Sequence, residues 1–243
     1  MPTPTAPGPR RTAIATLISV LMFLMAGCAQ PGETEKFGQS SPTLSMPAQG
    51  SGQPSSDTTV IRYVSPISRD GEIQPGWRQA GETHSLEDNC NRSPVAVEDG
   101  IYQCGPSALA AMACFYNHPT EAYFCPLSPF GRQYRLLKIM GESDGTQFTQ
   151  PYPWGLELDD GRECTIRQGG AWGTRDDGYF GTYSCDTGEE FVLSTGGQHD
   201  VLFTVDPNGK WTVSLGELGA VGEQFPPPSA MGLAAIYYAA WAK

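Results

Sequence analysis

Six cysteines, Cys90, Cys104, Cys114, Cys125, Cys164 and Cys185, stand well downstream in a chain whose N-terminus reads as an export signal. An even set of cysteines in an exported chain predicts disulfides, and each disulfide holds two backbone positions within about 7 Å of one another. The export reading rests on RRTAIATLISVLMFLMAGC. Arg10 and Arg11 supply a positive start, and the apolar run from Ala13 to Ala26 has the length of a signal segment, short of the roughly 18 residues of a spanning helix. Six cysteines admit about fifteen full pairings. Cys164 and Cys185 lie on two candidate neighbouring strands and make the first pair. Cys90, Cys104, Cys114 and Cys125 then staple the segment they span, in a pairing that the sequence leaves open. The alternative is one reactive thiol with a partnerless cysteine.

The seventh cysteine has a different context. Leu24, Met25, Ala26, Gly27 and Cys28 resemble the lipobox of bacterial lipoproteins. The resemblance implies that the Cys28 thiol takes a diacylglyceryl group, that the peptide is cut before it, and that the new amine is acylated. Several acyl chains on one residue hold a protein on a bilayer far more firmly than one chain does. The expected organisation is then a signal peptide at residues 1–27 and a lipid-anchored disordered tether at 28–59. An extended or loosely packed lead-in follows at 60–83, and a disulfide-stapled β-rich domain at 84–243. The tether reading follows from composition: AQPGETEKFGQSSPTLSMPAQGSGQPSSDT lacks the apolar content that offsets ordering entropy. The expected location is the outer face of a bacterial cell membrane.

Charge excludes some partners. The chain carries 15 basic residues against 26 acidic, a net charge of −11. Such a surface repels nucleic acid and anionic headgroups, so the expected contact with membrane is through the anchor at Cys28 alone. The acidic residues are dispersed, which makes them a solvated face rather than an interaction tail.

Along the chain, VIRYV at residues 60–64 reads as a first edge strand, followed by the Pro/Gly-punctuated RDGEIQPGWRQAGE. CGPSALAAMACFY predicts one short helix: Gly105 permits a sharp turn, Pro106 suits a first helical position, and Ala108, Leu109, Ala111, Met112 and Phe115 supply an apolar face. Pro119 would end that helix, and Cys114 would tie it to the loop containing Cys125. LELDDGRECTIR reads as two strands around the hairpin residues Asp159, Asp160 and Gly161. GYFGTYSC, EFVLS, DVLFTV and KWTVSL follow as strands, separated by TGE, TGGQ and DPNG. Trp172 and Trp211 are large enough to fill a core, which is the commoner use of an aromatic row than a binding surface. AMGLAAIYYAAWA fits an Ala-rich helix or a closing strand, and we take the strand because its predecessors need an edge partner. The fold class expected is mainly β with one short helix (α+β), in a small stapled, secreted domain.

Candidate chemistry is sparse. His84, His118 and His199 are scattered, and no CxxC or HxxxH spacing gathers metal ligands, so neither a metal nor a cofactor is expected. Asp159 with Asp160, and Asp176 with Asp177, sit beside glycines where carboxylates cap turns. YQCGPSALA and GGQHDVLFTVDPNG resemble segments of papain-like cysteine peptidases of the bacteriocin-processing type. That resemblance implies Cys104 as nucleophile, His199 as base, Asp206 or Asn208 as the group orienting the imidazole, and Gln103 beside the oxyanion. A disulfide at Cys104 would forbid it.

A broader resemblance covers residues 84–241. The order CGPSA, FCPLSPF, LDDGRECTIRQGGAWG, YSC, KWTVSLGELG and AIYYA is similar to a group of exported actinobacterial proteins and lipoproteins of unassigned role. The resemblance implies an envelope location, a structural disulfide role for Cys104, and no reaction. The function expected is therefore a lipid-anchored extracytoplasmic binding or envelope-associated structural module, with an envelope protein or polymer as its class of partner. The cysteine peptidase or acyltransferase is the alternative. GGAWGTRDDGY is the loop expected to present a site, through Trp172, Arg175 and Asp177.

Overall fold

The computed structural model describes residues 57–86, 89–106, 109–141, 149–169, 174–195, 203–219 and 222–243. Strands dominate these residues. In chain order they are β1 (Val60–Val64), β2 (Arg78–Gln79), β3 (His84–Leu86), β4 (Cys90–Arg92), β5 (Ile101–Cys104), β6 (Ala111–Asn117), β7 (Ala122–Pro126) and β8 (Gln133–Ile139). Then come β9 (Gly155–Leu158), β10 (Glu163–Ile166), β11 (Phe180–Cys185), β12 (Phe191–Ser194), β13 (Thr204–Val205), β14 (Trp211–Gly216) and β15 (Ser229–Ala239). Among the described residues a single 3-10 turn, His118–Thr120, joins β6 to β7.

One sheet runs β1-β15-β9-β10-β11-β12-β14-β13, and β14 also pairs with β15. Strands β15, β9, β10, β11, β12 and β14 thus close a ring. The eleven residues of β15 make this possible: Ser229–Gly232 pair with β14, Leu233–Tyr237 with β9, and Ala235–Ala239 with β1 in parallel register. Thr59 ties β1 to this junction, its Oγ1 donating to the Leu233 carbonyl at 2.7 Å and accepting from the Trp211 amide at 2.9 Å. Closure removes edges from the ring and leaves β1 and β13 as the sheet's free ends.

The second sheet is an antiparallel meander from β4 to β8, with β2 and β3 added in parallel along β8. Its inner face, including Phe115, Phe124 and Tyr134, joins the main core with Leu156, Tyr183, Leu215, Leu233 and Ile236 of the first sheet. Its other face carries a smaller buried cluster of Cys90, Cys104, Cys114, Cys125, Tyr123 and Leu137. Trp211 is half-buried against the main core.

The three disulfides join neighbouring strands. Cys164–Cys185 links directly opposed residues of β10 and β11, as expected. Cys90–Cys104 does the same across β4 and β5, and Cys114–Cys125 joins β6 to β7. Residues 60–83 are extended at β1 and β2 and reach the core, where Val64 and Ile67 are buried.

The short helix is overturned. Gly105 has φ 95°, and the Leu109 amide donates to the Pro106 carbonyl in a turn between β5 and the seven-residue strand β6. Strand β6 lies between β5 and β7 and is buried at six of its seven positions. A central strand covered on both faces reads as a continuous apolar run, which periodicity alone does not separate from a buried helix. Helix propensity in AMACFY is therefore outweighed by two strand partners and a cross-strand disulfide. Cys125 likewise lies in a strand rather than a loop.

Candidate functional site

The peptidase constellation does not assemble. The Cys104 sulfur is bonded to Cys90, and no thiolate remains at that position to attack a carbonyl. Gln103 donates from Nε2 to the Met112 sulfur, an internal contact. The Asp206 carboxylate accepts from the Asn208 amide at 2.9 Å and the Lys210 amide at 2.8 Å, capping the DPNG turn. His199 lies outside the described residues. Among the described residues, no three His, Cys, Asp or Glu side chains gather as a metal site, and His118 packs edge-on against Tyr116.

The expected binding loop also changes character. Trp172 and Cys28 lie outside the described residues. Arg175 is buried rather than presented to solvent: only 1% of its side chain is exposed. Its Nη2 donates to Asp177 at 2.6 Å and to the Pro226 carbonyl at 2.9 Å, and its Nη1 to the Glu217 carbonyl at 3.4 Å. Its guanidinium also lies over the rings of Phe225 and Tyr179. This geometry ties the segment after β14 to the turn before β11. The hydrogen bond from Arg175 holds the Asp177 carboxyl below its ordinary pKa.

A groove of about 930 Å³ opens elsewhere, where β1 and the end of β15 meet two loops. Its walls include Trp77, Phe130, Tyr237 and Trp241, and Arg62, Arg132, Glu98 and Lys243 supply its charge. Each aromatic is placed by a specific local device. Trp77 follows a Gln-Pro-Gly turn in which its amide donates to the Gln74 carbonyl. That turn hangs from a small hairpin, with Ser68 and Glu72 bonded across it, and Asn117 reaches from β6 to hold the Gly71 carbonyl at 3.1 Å. Gly71 has φ 86°, and a Cβ there would stand 2.8 Å from the Asn117 amide, so the tip accommodates only glycine.

Phe130 packs edge-on against Tyr237, with ring centroids 4.9 Å apart. Gly155 on β9 permits this approach, because a Cβ there would meet both Phe130 and Pro129 at 2.6 Å. Tyr237 anchors a triad: Arg62 Nη1 donates to its hydroxyl at 2.6 Å, and that hydroxyl donates to Glu157 Oε2 at 2.8 Å. Arg62 also pairs with Glu157 at 3.2 Å. Burial, then the hydrogen bond and charge of Glu157, push the Tyr237 hydroxyl up to about 12. Trp241 donates from Nε1 to the Asp99 carbonyl and packs on Phe115, while Arg69 lies over its ring and pairs with Glu98 at 3.0 Å.

The charges that line the groove are unequally satisfied. Arg62 and Glu98 have ionic partners, whereas Arg132 donates to the Pro75 carbonyl at 2.9 Å and, among the described residues, meets no carboxylate. An aromatic-walled concavity with a few fixed polar groups is the usual form of a binding site.

Sequence reasoning named none of these groove residues. The usable signal was aromatics and arginines in Pro/Gly-rich loops, QPGWR and PLSPFGR, where a large ring has no helical or strand face to bury. Among the described residues, no helix is long and apolar enough to cross a membrane. Comparison of the chain with protein-family models, curated proteins and solved structures finds no match.

Proposed function

We propose that this protein is a lipid-anchored extracytoplasmic binding module, held by Cys28 on the outer face of a bacterial cell membrane, with the β1/β15 groove as its site for an envelope partner. The observation that carries the binding reading is the groove: five aromatic rings, an arginine with no carboxylate partner among the described residues, and Arg62 and Tyr237, preordered by Glu157, converge on one concavity. Three disulfides on a mainly β framework suit an oxidising compartment and give such a site a rigid support. The lipobox resemblance supports the anchor.

Two measurements test this reading. Intact and peptide mass spectra of membrane-extracted protein are expected to show a mature N-terminus at Cys28 carrying diacylglyceryl and an amide-linked acyl chain. A mature chain without lipid overturns the anchor. For the site, a photo-crosslinking amino acid replaces Tyr63 beside the groove or Val205 on β13, in cells of the native host; both positions are exposed. Defined adducts at 63 and none at 205 are expected. Equal labelling at both positions, or none at either, refutes the groove as the site.

A further inference from the structure

Strand β1 is an uncovered edge alongside the groove. Among the described residues its strand partner is β15 alone, and the Ala240 amide donates to the Val64 carbonyl at 3.3 Å. In a strand, the N–H and C=O of one residue point the same way and alternate with those of the next. Val60, Arg62 and Val64 therefore turn their backbone groups to β15, and Ile61 and Tyr63 turn theirs outward. The side chains here are unusually open for a strand: Val60 is 46% exposed, Ile61 48% and Tyr63 60%. Natural edge strands are commonly blunted by proline, bulges or short length, and β1 has five residues, no proline and no bulge in its pairing with β15. Tyr63 and Val64 of this strand also line the groove.

We infer that β1 captures an extended peptide by strand addition, with an acidic side chain of that peptide seated on Arg132 and its apolar side chains on the groove aromatics. The inference rests on the binding reading above and specifies its ligand. Two outward donors and two outward acceptors at Ile61 and Tyr63 supply the main-chain hydrogen bonds, and the groove supplies side-chain selection. Charge selects the acid. The protein is acidic as a whole, at −11, yet Glu98 of the groove is already paired to Arg69, leaving Arg132 and Lys243 without carboxylate partners among the described residues. A second copy of the chain fits less well. Antiparallel self-pairing centred on β1 sets Arg62 opposite Arg62, and like charges directly opposed destabilise a pair.

The test selects a phage-displayed library of random linear dodecapeptides on the full mature chain in detergent micelles. Enriched peptides are then synthesised and titrated. The expected result is peptides with an acidic residue among β-branched or aromatic ones. Tyr63→Pro, which deletes one outward donor and leaves the β15 ladder intact, should raise Kd at least tenfold, Tyr63→Ala should have a smaller effect, and Arg132→Gln should raise it about fivefold. Bound peptide should slow amide hydrogen exchange at Ile61 and Tyr63 at least tenfold, and this readout decides alone if Tyr63→Pro does not fold. Peptides that lose binding on Trp77→Ala but bind Tyr63→Pro and Tyr63→Ala equally would overturn strand addition and leave the groove as a binding site. A library with no enriched acidic peptide overturns the inference alone, since other groove ligands remain. A chain that sediments as a dimer through β1, with Ile61 and Tyr63 protected before peptide is added, also overturns it.

Discussion

Replacing both Cys164 and Cys185 by alanine removes the one disulfide that belongs to the closed ring. The bridge spans a sequence separation of 21 residues. Chain-entropy arguments put its effect on the unfolded state at about 3.3 kcal/mol for a loop of that length. The two cysteines are also buried, at 0% and 5% exposure, in the main core. Losing both sulfurs and the packing around them adds about 1–2 kcal/mol. A total of about 4–5 kcal/mol in a domain of this size lowers the melting temperature by roughly 10–15 °C. Differential scanning calorimetry of the double variant against the parent measures this directly, with mass spectrometry confirming that the other two bridges remain. The Cys90–Cys104 bridge has a separation of 14 and should yield a slightly smaller entropic loss, about 3 kcal/mol, when both its cysteines are replaced. A fall of less than about 4 °C for the Cys164/Cys185 variant would refute the reasoning. It would mean that the β10–β11 pair persists in the unfolded chain, or that the ring does not depend on it.

Gly155→Ala should shift Phe130 and Pro129, whose atoms a Cβ would meet at 2.6 Å, costing about 1–3 kcal/mol in urea unfolding and weakening any groove ligand; an unchanged midpoint would show that the loop moves freely. Arg175→Met leaves the Glu217 and Pro226 carbonyls without their donor and should lower stability by about 2–4 kcal/mol while leaving groove binding unchanged, measured by unfolding and titration together. Tyr237 supplies a pH prediction. Its native pKa is raised to about 12, so the unfolded chain loses its proton first. Its contribution is fully present below about pH 10 and is lost as pH rises through about 12. Denaturation midpoints between pH 9 and pH 12 should fall, and Tyr237→Phe should flatten that decline without abolishing it, because the buried Tyr183 is shifted the same way. An identical slope in the variant would refute the assignment.

The strands that sequence reasoning finds most directly are those with a local stop signal. Asp159-Asp160-Gly161 and DPNG supply turns whose glycines have φ 87° and 84°, and the strands on either side fall as the hairpin pattern requires. The Cys164–Cys185 pair is legible for the same reason, since the two strands that carry it are marked by turn residues on either side. Strand β6 has no such signal within it. AMACFYN is buried on both faces, and its strand character comes from β5 and β7, which are not visible in its own seven residues. The terminal segment was equally ambiguous in its own residues, and the need of the preceding strands for a partner decided it correctly. Ring closure is not legible, because it depends on one strand, β15, pairing with both β14 and β9.

The groove shows the same limit at the level of function. Its residues come from β1, the loop before β2, the β4–β5 connection at Val97 and Glu98, the β7–β8 loop, and the end of β15 with the residues that follow it. No window of sequence contains two of its aromatic walls except the last, where Tyr237 and Trp241 stand four apart. A motif search rewards residues that are close in the chain, and it therefore favoured Gln103 with Cys104 and the Trp172–Asp177 loop. The described members of both sets prove to hold the fold together: Cys104 as a disulfide, Gln103 in an internal contact, Arg175 as a buried clamp. Part of what distinguishes Arg132 from Arg175 is local, since Asp177 stands two residues after Arg175 and no acid stands so near Arg132. The rest of the difference is tertiary: the Glu217 and Pro226 carbonyls and the Phe225 ring close over Arg175, whereas Arg132, among the described residues, has the Pro75 carbonyl and an open groove. A guanidinium with no carboxylate partner among the described residues, beside half-buried rings and a strand edge, is what the proposed acidic peptide would meet.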